Sequence, residues 1–434
     1  MMTKREVAES LMDYLDHAPT PFQSIELMTE FLKKNGGMEL EESKPWQLKK
    51  GGLYYYVKDG SQMVAFRMGT KSPAEEGFRF TGAHHDYPGF RIKPVPSACE
   101  NGFERLVIEP YGGLIVRGWY DKPLAVAGRL CVRCESGIRA VNVNIHEPLL
   151  IIPSLAIHMN REVNDNPGKI NLQTEVSPIF CQTDGKESTF LAYVAERAGV
   201  EEKDILSFEL LAYDYQPGCF VGARQEMMST PRLDDASMVH ASFHALVEAE
   251  TEYCCIAMAY DHEEIGSNSD RGARSNSLMM TIDRICAALG LSVEEKYCAL
   301  AKSVMFSADM AHATHPSYVG KADPYHKLYL NKGPVLKTAH SQSYATSSRG
   351  SAIFRWLCEE KGIPYQVFAN HSDVKGGGTI GPIIASAHGV TTVDIGNPML
   401  SMHAVRELGG SDDPYYMQQL FRALFEADLS HLMC

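Results

Sequence analysis

The sequence predicts an α/β fold: an open, mixed, largely parallel sheet flanked by helices, with a β-rich domain inserted in its first half. Three observations carry that expectation. Helical and strand-like patterns occur together before residue 93 and alternate again after Pro231, the texture of an open sheet covered by helices. Some strand-like runs, CCIAMAY above all, are apolar throughout, as strands buried on both faces are. From about residue 93 to 222 the texture changes to short alternating strands and turns.

Taken in order, residues 4–16 read as a helix because Val7, Leu11 and Leu15 recur at helical spacing. A second helix over 22–34 is opened by Pro21 and closed by Gly36-Gly37. Short β-type runs follow at 53–57, 63–68 and 78–81, the last leading directly into Gly82-Ala83-His84-His85-Asp86. In the insert, Val141, Val143 and Ile145 alternate with Asn142 and Asn144, a strand with one face covered. Beyond it come a helix over 236–250, a buried strand over 254–260 and a helix over 277–289. A strand near 304–307, a helix near 348–361 and strands near 365–368 and 390–395 continue the alternation. The last helix starts after Ser411-Asp412-Asp413, has Pro414 in its first turn, and aligns Met417, Leu420, Phe421 and Leu424 on one face. These patterns divide the chain into 1–92, the insert 93–222, and 223–434, with the first and last parts forming one domain.

The 434 residues carry 41 Lys plus Arg against 54 Asp plus Glu, a formal charge of −13, which argues against nucleic acid or an anionic membrane as the partner. No apolar run approaches the roughly 20 residues of a membrane span. The N-terminal segment lacks the apolar core of a signal peptide, and eleven scattered Cys fit reduced thiols in a cytoplasm better than a disulfide framework. Cys131-Val-Arg-Cys134 has no second pair to complete a zinc knuckle and reads as ordinary strand. Gly376-Gly-Gly-Thr-Ile-Gly381 lacks dinucleotide-loop spacing and reads as a tight turn packed close to the site.

Metal-capable side chains sit where strands end. His84 and Asp86 follow FRFTGA, Asp261-His-Glu-Glu264 follows CCIAMAY, Asp309 follows VMFSA, and His403 lies shortly beyond TTVDIG. Ligands of open α/β sheets collect at the carboxyl ends of strands, so these groups converge on one crevice. Asp234 and Asp235, just before a helix, add to the set or serve as its N-cap. Oxygen and imidazole donors without Cys suit zinc, manganese or cobalt in a hydrolytic site, and this number of donors is about what two divalent ions need. Asp86, two residues after His84, is placed to orient its imidazole. Of Glu263 and Glu264, one can ligate while the other acts as general base; the residues alone leave open which.

Over nearly its whole length the sequence resembles the aspartyl aminopeptidase family of dinuclear zinc exopeptidases. The matching stretches are APTPF, GAHHDYPGFRIKP, YGGLIVRGWYDKPL, IIPSLAIHMNREVN, PRLDD, DHEEIGS, SADMAHATHPSY, KGPVLK, GTIGPI and LSMHAVRE, in family order and spacing. The resemblance implies His84, Asp234, Glu264, Asp309 and His403 as ligands of two zinc ions, Asp234 bridging. It further implies Glu263 as general base and Asp86 as the orienting carboxylate. It makes the insert a dimerisation domain, with dimers assembling into a dodecamer. His158 is then expected to reach a neighbouring subunit's site, and Lys337 to face the substrate's acidic side chain. The sequence departs from the family pattern at His85, where a small residue such as Thr is usual, and at Tyr87-Pro88. Asn370-His371-Ser372-Asp373 and the Gly-Gly-Thr loop depart likewise. The expectation is a cytoplasmic, homo-oligomeric metalloaminopeptidase that releases N-terminal Asp or Glu from peptides. Its rivals are an aminopeptidase of neutral or broad specificity, a carboxypeptidase or deacylase on the same dinuclear site, and a non-catalytic shell.

Overall fold

The first helix, α1 (Lys4–His17), begins in a capping box: Thr3 accepts the Glu6 N–H and Glu6 accepts the Thr3 N–H, satisfying two donors a helix start leaves open. Thr20 caps α2 (Pro21–Lys34), and Gly36 leaves it at φ 82°, a left-handed conformation that costs glycine little. Then come β1 (Met38–Glu39), β2 (Leu53–Lys58), β3 (Gln62–Arg67), the short α3 (Pro73–Glu76) and β4 (Phe78–His84), whose every residue is buried. This computed structural model describes residues 2–166, 168–374 and 376–429, which divide into two compact units. One holds the chain up to Asp86, Gly218–Met402 and the chain from Glu407; the other holds Tyr87–Pro217 with His403–Arg406.

The second unit contains β5 (Gly89–Glu100), β6 (Phe103–Tyr111), β7 (Leu124–Cys134), β8 (Gly137–Leu150), β9 (Ile179–Gln182), α4 (Phe190–Ala198) and β10 (Ile205–Asp214). Its strands form an antiparallel sheet in the order β8-β7-β10-β5-β6-β9. Val143 and Ile145 point into its core with Phe90, Trp119 and Leu210, while Asn144 is exposed. Cys131 and Cys134 are residues of β7. The unit starts and ends about five residues earlier than the span 93–222 read from the sequence, because β5 already pairs with β6 at Gly89. The short His403–Arg406 excursion also belongs to it: Val405 joins its core and Arg406 Nη1 bonds Asp214 Oδ2 at 3.0 Å. Helix α4, with Phe190 and Val194 buried one turn apart, is one helix that the alternating texture of the insert concealed.

Returning to the first unit, the chain forms β11 (Cys219–Val221), β12 (Met227–Thr230), α5 (Leu233–Glu248), β13 (Cys254–Tyr260), α6 (Ser277–Ala288) and α7 (Val293–Ala301). It continues through β14 (Val304–Ala308), β15 (Ala311–His312), β16 (Val335–Thr338), α8 (Ser348–Lys361), β17 (Gln366–Ala369) and α9 (Ile380–His388). It closes with β18 (Thr391–Gly396), β19 (Pro398–Leu400), β20 (Glu407–Gly410) and α10 (Asp413–Glu426). Among the described residues the main sheet has nine strands, ordered β1-β2-β3-β13-β4-β14-β18-β16-β17. Its central strands β13, β4, β14 and β18 are mutually parallel, so their carboxyl ends lie along one edge. A smaller sheet runs β11-β12-β20-β19-β15.

Besides the four-residue α3, two helices of this unit were not expected from the sequence. Helix α7 is short and mostly exposed, so its start is marked by the Ser292–Glu295 capping box rather than by an apolar face. Helix α9 begins inside the glycine-rich stretch read as a turn: Thr379 occupies the N-cap, and Gly381 packs where a Cβ would come within 2.3 Å of the Asp394 carboxylate.

Candidate metal centre

Three donor atoms from three segments meet at the carboxyl edge of the sheet. His84 ends β4, Asp234 lies at the entry of α5, and Glu264 follows β13; each offers a ligand atom within 4.8 Å of the others. His84 Nε2 stands 3.6 Å from Asp234 Oδ1 and 3.9 Å from Glu263 Oε2. The ring's other nitrogen, Nδ1, donates to the Asp86 main-chain oxygen at 3.0 Å, a bond that keeps a proton there and makes Nε2, which faces the carboxylates, the nitrogen available to a cation. One imidazole and two carboxylates, with no sulfur, are a donor set that suits zinc with positions open to a substrate.

The approaches to Asp234 and to the Glu263-Glu264 turn are held in backbone conformations that cost free energy. Arg232 (φ 65°), just ahead of Asp234, and His262 (φ 63°), just ahead of Glu263, are left-handed non-glycine residues. Arg232 is pinned by its Nη2 donating to Leu15 O at 2.6 Å, and His262 by Nδ1 bonding Ser269 Oγ at 2.8 Å. Asp234 and Asp235 themselves have non-helical dihedrals, so the regular part of α5 starts after them. The alternative of an N-cap for Asp235 gives way to a tertiary bond: its Oδ2 accepts the His84 N–H at 3.2 Å.

Buried carboxylates grip the main chain of the ligand segments in the same way elsewhere. Asp86, expected to orient His84 through its carboxylate, does so chiefly through its carbonyl. Its Oδ1 lies 3.4 Å from Nδ1, while Oδ1 and Oδ2 accept the N–H groups of Glu263 and Glu264 at 3.1 and 3.2 Å. Glu407, buried at the start of β20, accepts the Asp234 N–H at 3.0 Å. Sequence reasoning missed Glu407, although it ends the LSMHAVRE stretch; an acid four residues after a ligand candidate was its only local signal.

This crowding of acids is legible in the proton affinities. Burial raises the Glu263 carboxyl first, the charges of Asp309, Glu264 and Asp86 add to it, and against the pull of His84 it reaches about 8. Asp235 is raised well above the carboxylate range by burial and by Asp309 and Asp234. Burial alone would lower His84, but Asp86, Glu263 and Asp235 outweigh it and hold the ring well above its ordinary value. Such a cluster calls for a cation, which is what the donor set fits.

Asp309 follows β14, and its Oδ1 accepts from Lys337 Nζ at 3.1 Å. Lys337, on β16, is buried; desolvation opposes its charge, yet Asp309, Tyr344 and Asp394 hold its pKa above the ordinary lysine value. The expected substrate-facing ammonium is thus paired with an expected ligand. His85 turns away from the centre and engages both ring nitrogens elsewhere: Nδ1 with Ser24 Oγ at 2.7 Å and Nε2 with Ser61 O at 2.7 Å. His403 and His158 belong to the second unit. His403 (φ 65°) bonds Gly113 O through Nδ1 at 3.1 Å, and His158 lies exposed in a single turn, Ile157–Met159.

Gly396, ending β18, lets the chain pass against Asp309: a Cβ there would lie 1.8 Å from the Asp309 main-chain oxygen. The clash is with backbone and no rotamer relieves it. Gly396→Ala should therefore cost about 1–3 kcal/mol, read as a lower urea midpoint, and an unchanged midpoint would refute this close packing.

The model of the family described as Aminopeptidase I zinc metalloprotease (M18) matches residues 14–425 of the chain. The chain belongs to that M18 family. It is a zinc metalloaminopeptidase, a hydrolase acting as an exopeptidase. A relative from Clostridium acetobutylicum named probable M18 family aminopeptidase 2 is 40% identical over 432 residues, 98% of this chain and 100% of the relative. A relative of the same name from Stutzerimonas stutzeri is 39% identical over 97% of this chain and 98% of its own. Among solved structures, one of the Ape4 and Nbr1 complex superposes with a TM-score of 0.95 at 32% identity, covering 99% of this chain and 87% of that one. The S. cerevisiae mApe1 dodecamer gives 0.85 at 27% identity, covering 99% and 98%. Zinc and the M18 fold agree with the donor set described above.

Proposed function

We propose that this M18 aminopeptidase releases N-terminal Asp or Glu from peptides at a site of two zinc ions, with Glu263 as general base. The convergence of His84, Asp234 and Glu264 beside Glu263 carries the reading. The family resemblance adds Asp309 and His403 as ligands and makes Asp234 the bridge. Bound zinc supplies Lewis acidity toward the scissile carbonyl and the attacking water. Glu263 takes the proton of that water as it attacks, then delivers it to the amine nitrogen as the C–N bond breaks. Asp86 keeps Glu263 and Glu264 in register by holding both of their N–H groups. Lys337 supplies the positive charge for the substrate's acidic side chain, because a ligand shared with zinc no longer neutralises the ammonium fully.

The same reading makes the protein a homo-oligomer, with the second unit as its dimerisation surface and His158 reaching a neighbouring subunit. A dodecameric relative supports it. So does the run of exposed apolar side chains around His158: Ile151, Leu155, Ile157 and Met159, the last 75% exposed. We place the assembly in the cytoplasm, in keeping with its thiol usage.

The test is hydrolysis of substrates with N-terminal Asp, Glu, Leu, Met, Lys and Ala, each free and N-acetylated, by zinc-loaded protein. Asp and Glu peptides with free amines should be cleaved at least tenfold faster than the rest. Preference for neutral residues would remove Lys337 from specificity. Cleavage of acetylated substrates would instead favour a deacylase.

A further inference from the structure

We infer that His85 is a positioning residue: it ties the two strand ends that carry His84 and the Glu263–Glu264 turn to one another and to helix α2. The inference rests on the reading of His84 and Glu264 as zinc ligands. Its starting point is that the imidazole is buried and both of its nitrogens are engaged, on opposite sides, by groups of different elements.

The hydrogen bonds have one consistent direction. Ser61 O can only accept, so His85 Nε2 carries the proton and Nδ1 is an acceptor. Ser24 Oγ therefore donates to Nδ1 at 2.7 Å, and its own lone pair accepts the Tyr14 hydroxyl at 2.6 Å. Helices α1 and α2 are thereby fixed to the residue between His84 and Asp86. On the other side, Ser61 lies in the turn joining β2 to β3, and its hydroxyl donates to Asp261 Oδ2 at 2.6 Å. Asp261 Oδ1 in turn accepts the His262 N–H at 2.8 Å, and His262 is the left-handed residue that launches Glu263 and Glu264. Independently of the ring, the His85 main-chain N–H bonds Tyr260 O at 3.1 Å, a tie that every variant at this position keeps. One ring thus sets the spacing between two ligand-bearing strand ends through Ser61, and anchors both to the helices through Ser24.

A small residue such as Thr could not span these partners. Groups that hold ligands in place without touching the metal contribute on the order of 10- to 100-fold to metal affinity or activity, and this relay lies one bond further out.

The experiment measures zinc dissociation constants with a chromophoric chelator, together with kcat and KM, on the full-length protein. His85→Phe keeps the ring and removes both bonds; it should weaken zinc about tenfold and lower kcat with little change in KM. His85→Gln places an N–H where Nε2 stands and should recover most of the loss. His85→Asn restores only the Ser24 side and should not. That order distinguishes positioning from simple packing, which would rank the variants by volume. If Phe and Asn bind zinc as tightly as the parent, or if Gln fails to outperform Asn, the inference is overturned. Should Phe not fold, Ser61→Ala, which cuts the link to Asp261 while leaving His85 and its bonds in place, must show the same loss of affinity; parental affinity there overturns the relay. His84→Gln is the control: if it leaves zinc affinity unchanged, the ligand assignment itself has failed, a result separable from failure at His85.

Discussion

Glu263→Gln should lower kcat by a factor on the order of 10² to 10⁴ while zinc content and thermal midpoint stay at their parental values. The substitution preserves shape and removes only the capacity to accept a proton. The Glu263 carboxylate stands 3.9 Å from His84 Nε2, close to the donor cluster, and its main-chain N–H is separately held by Asp86. Its position therefore survives the change. Without a cation, burial and the neighbouring acids lift its pKa to about 8. A cation held by His84, Asp234 and Glu264 would lower that value, favouring the carboxylate that takes a proton from water, while burial keeps the group basic enough to hold the proton until the amine leaves. Stopped-time assays on protein of verified zinc content check the result, and parental kcat with full zinc would remove Glu263 from the chemistry. Glu263→Asp is a finer probe, since it keeps the carboxylate and withdraws it by one methylene.

What could be read from the sequence follows from which signals are local. The main sheet was legible because β13 and β14 are largely apolar runs and β4, despite Arg79 and Thr81, has the β-type pattern, and an acid or imidazole immediately after such a strand has little reason to be there unless a site requires it. That logic pointed to His84 and to the Glu263-Glu264 pair; the family resemblance chose Glu264 within the pair and Asp234 over Asp235, and the structure brings His84, Asp234 and Glu264 together. The groups that hold those candidate ligands were legible only in part: Asp86 was marked by its place two residues after His84, but its main-chain N–H partners, and Glu407 altogether, are remote in sequence. Glu407 acts on Asp234 across 173 positions and Asp86 on Glu263 across 177. Little in a local window distinguishes Glu407 from a solvated acid. His85 shows the same limit from the other side. Its identity marked a departure from the family pattern, but its bonds to Ser24 and Ser61 depend on where two other elements fold. Helices α4, α7 and α9 were missed for a different reason. Each has nine residues, too few for an apolar stripe to stand out against strand-like neighbours.

Glu104→Gln should destabilise the second unit by roughly 3 kcal/mol at pH 7. Glu104 lies on β6 with no exposed surface, yet its carboxylate meets a full complement of donors. It accepts from Ser97 Oγ at 2.7 Å, Ser188 Oγ at 2.8 Å, Thr189 Oγ1 at 2.7 Å, and the N–H groups of Thr189 and Phe190 at 3.0 Å. The last two are donors that the start of α4 leaves open, so a β-strand residue caps this helix, and its negative charge sits at the positive end of the helix dipole. Burial would raise the carboxyl, but the bonds from Ser97, Thr189 and Ser188 prevail and bring it down to about 2. A carboxyl depressed on folding contributes stability that is fully present above its unfolded value near 4.5 and is lost as pH falls toward 2. The gap in urea midpoint between parent and Glu104→Gln should therefore be wide and constant from pH 7 to about 5 and narrow steadily below it. Taking the difference at each pH cancels the acid release of zinc, which both proteins share. A gap that stayed constant down to pH 3 would mean that shape and not charge is what Glu104 contributes, because a neutral glutamic acid would then cap α4 as well as the carboxylate does.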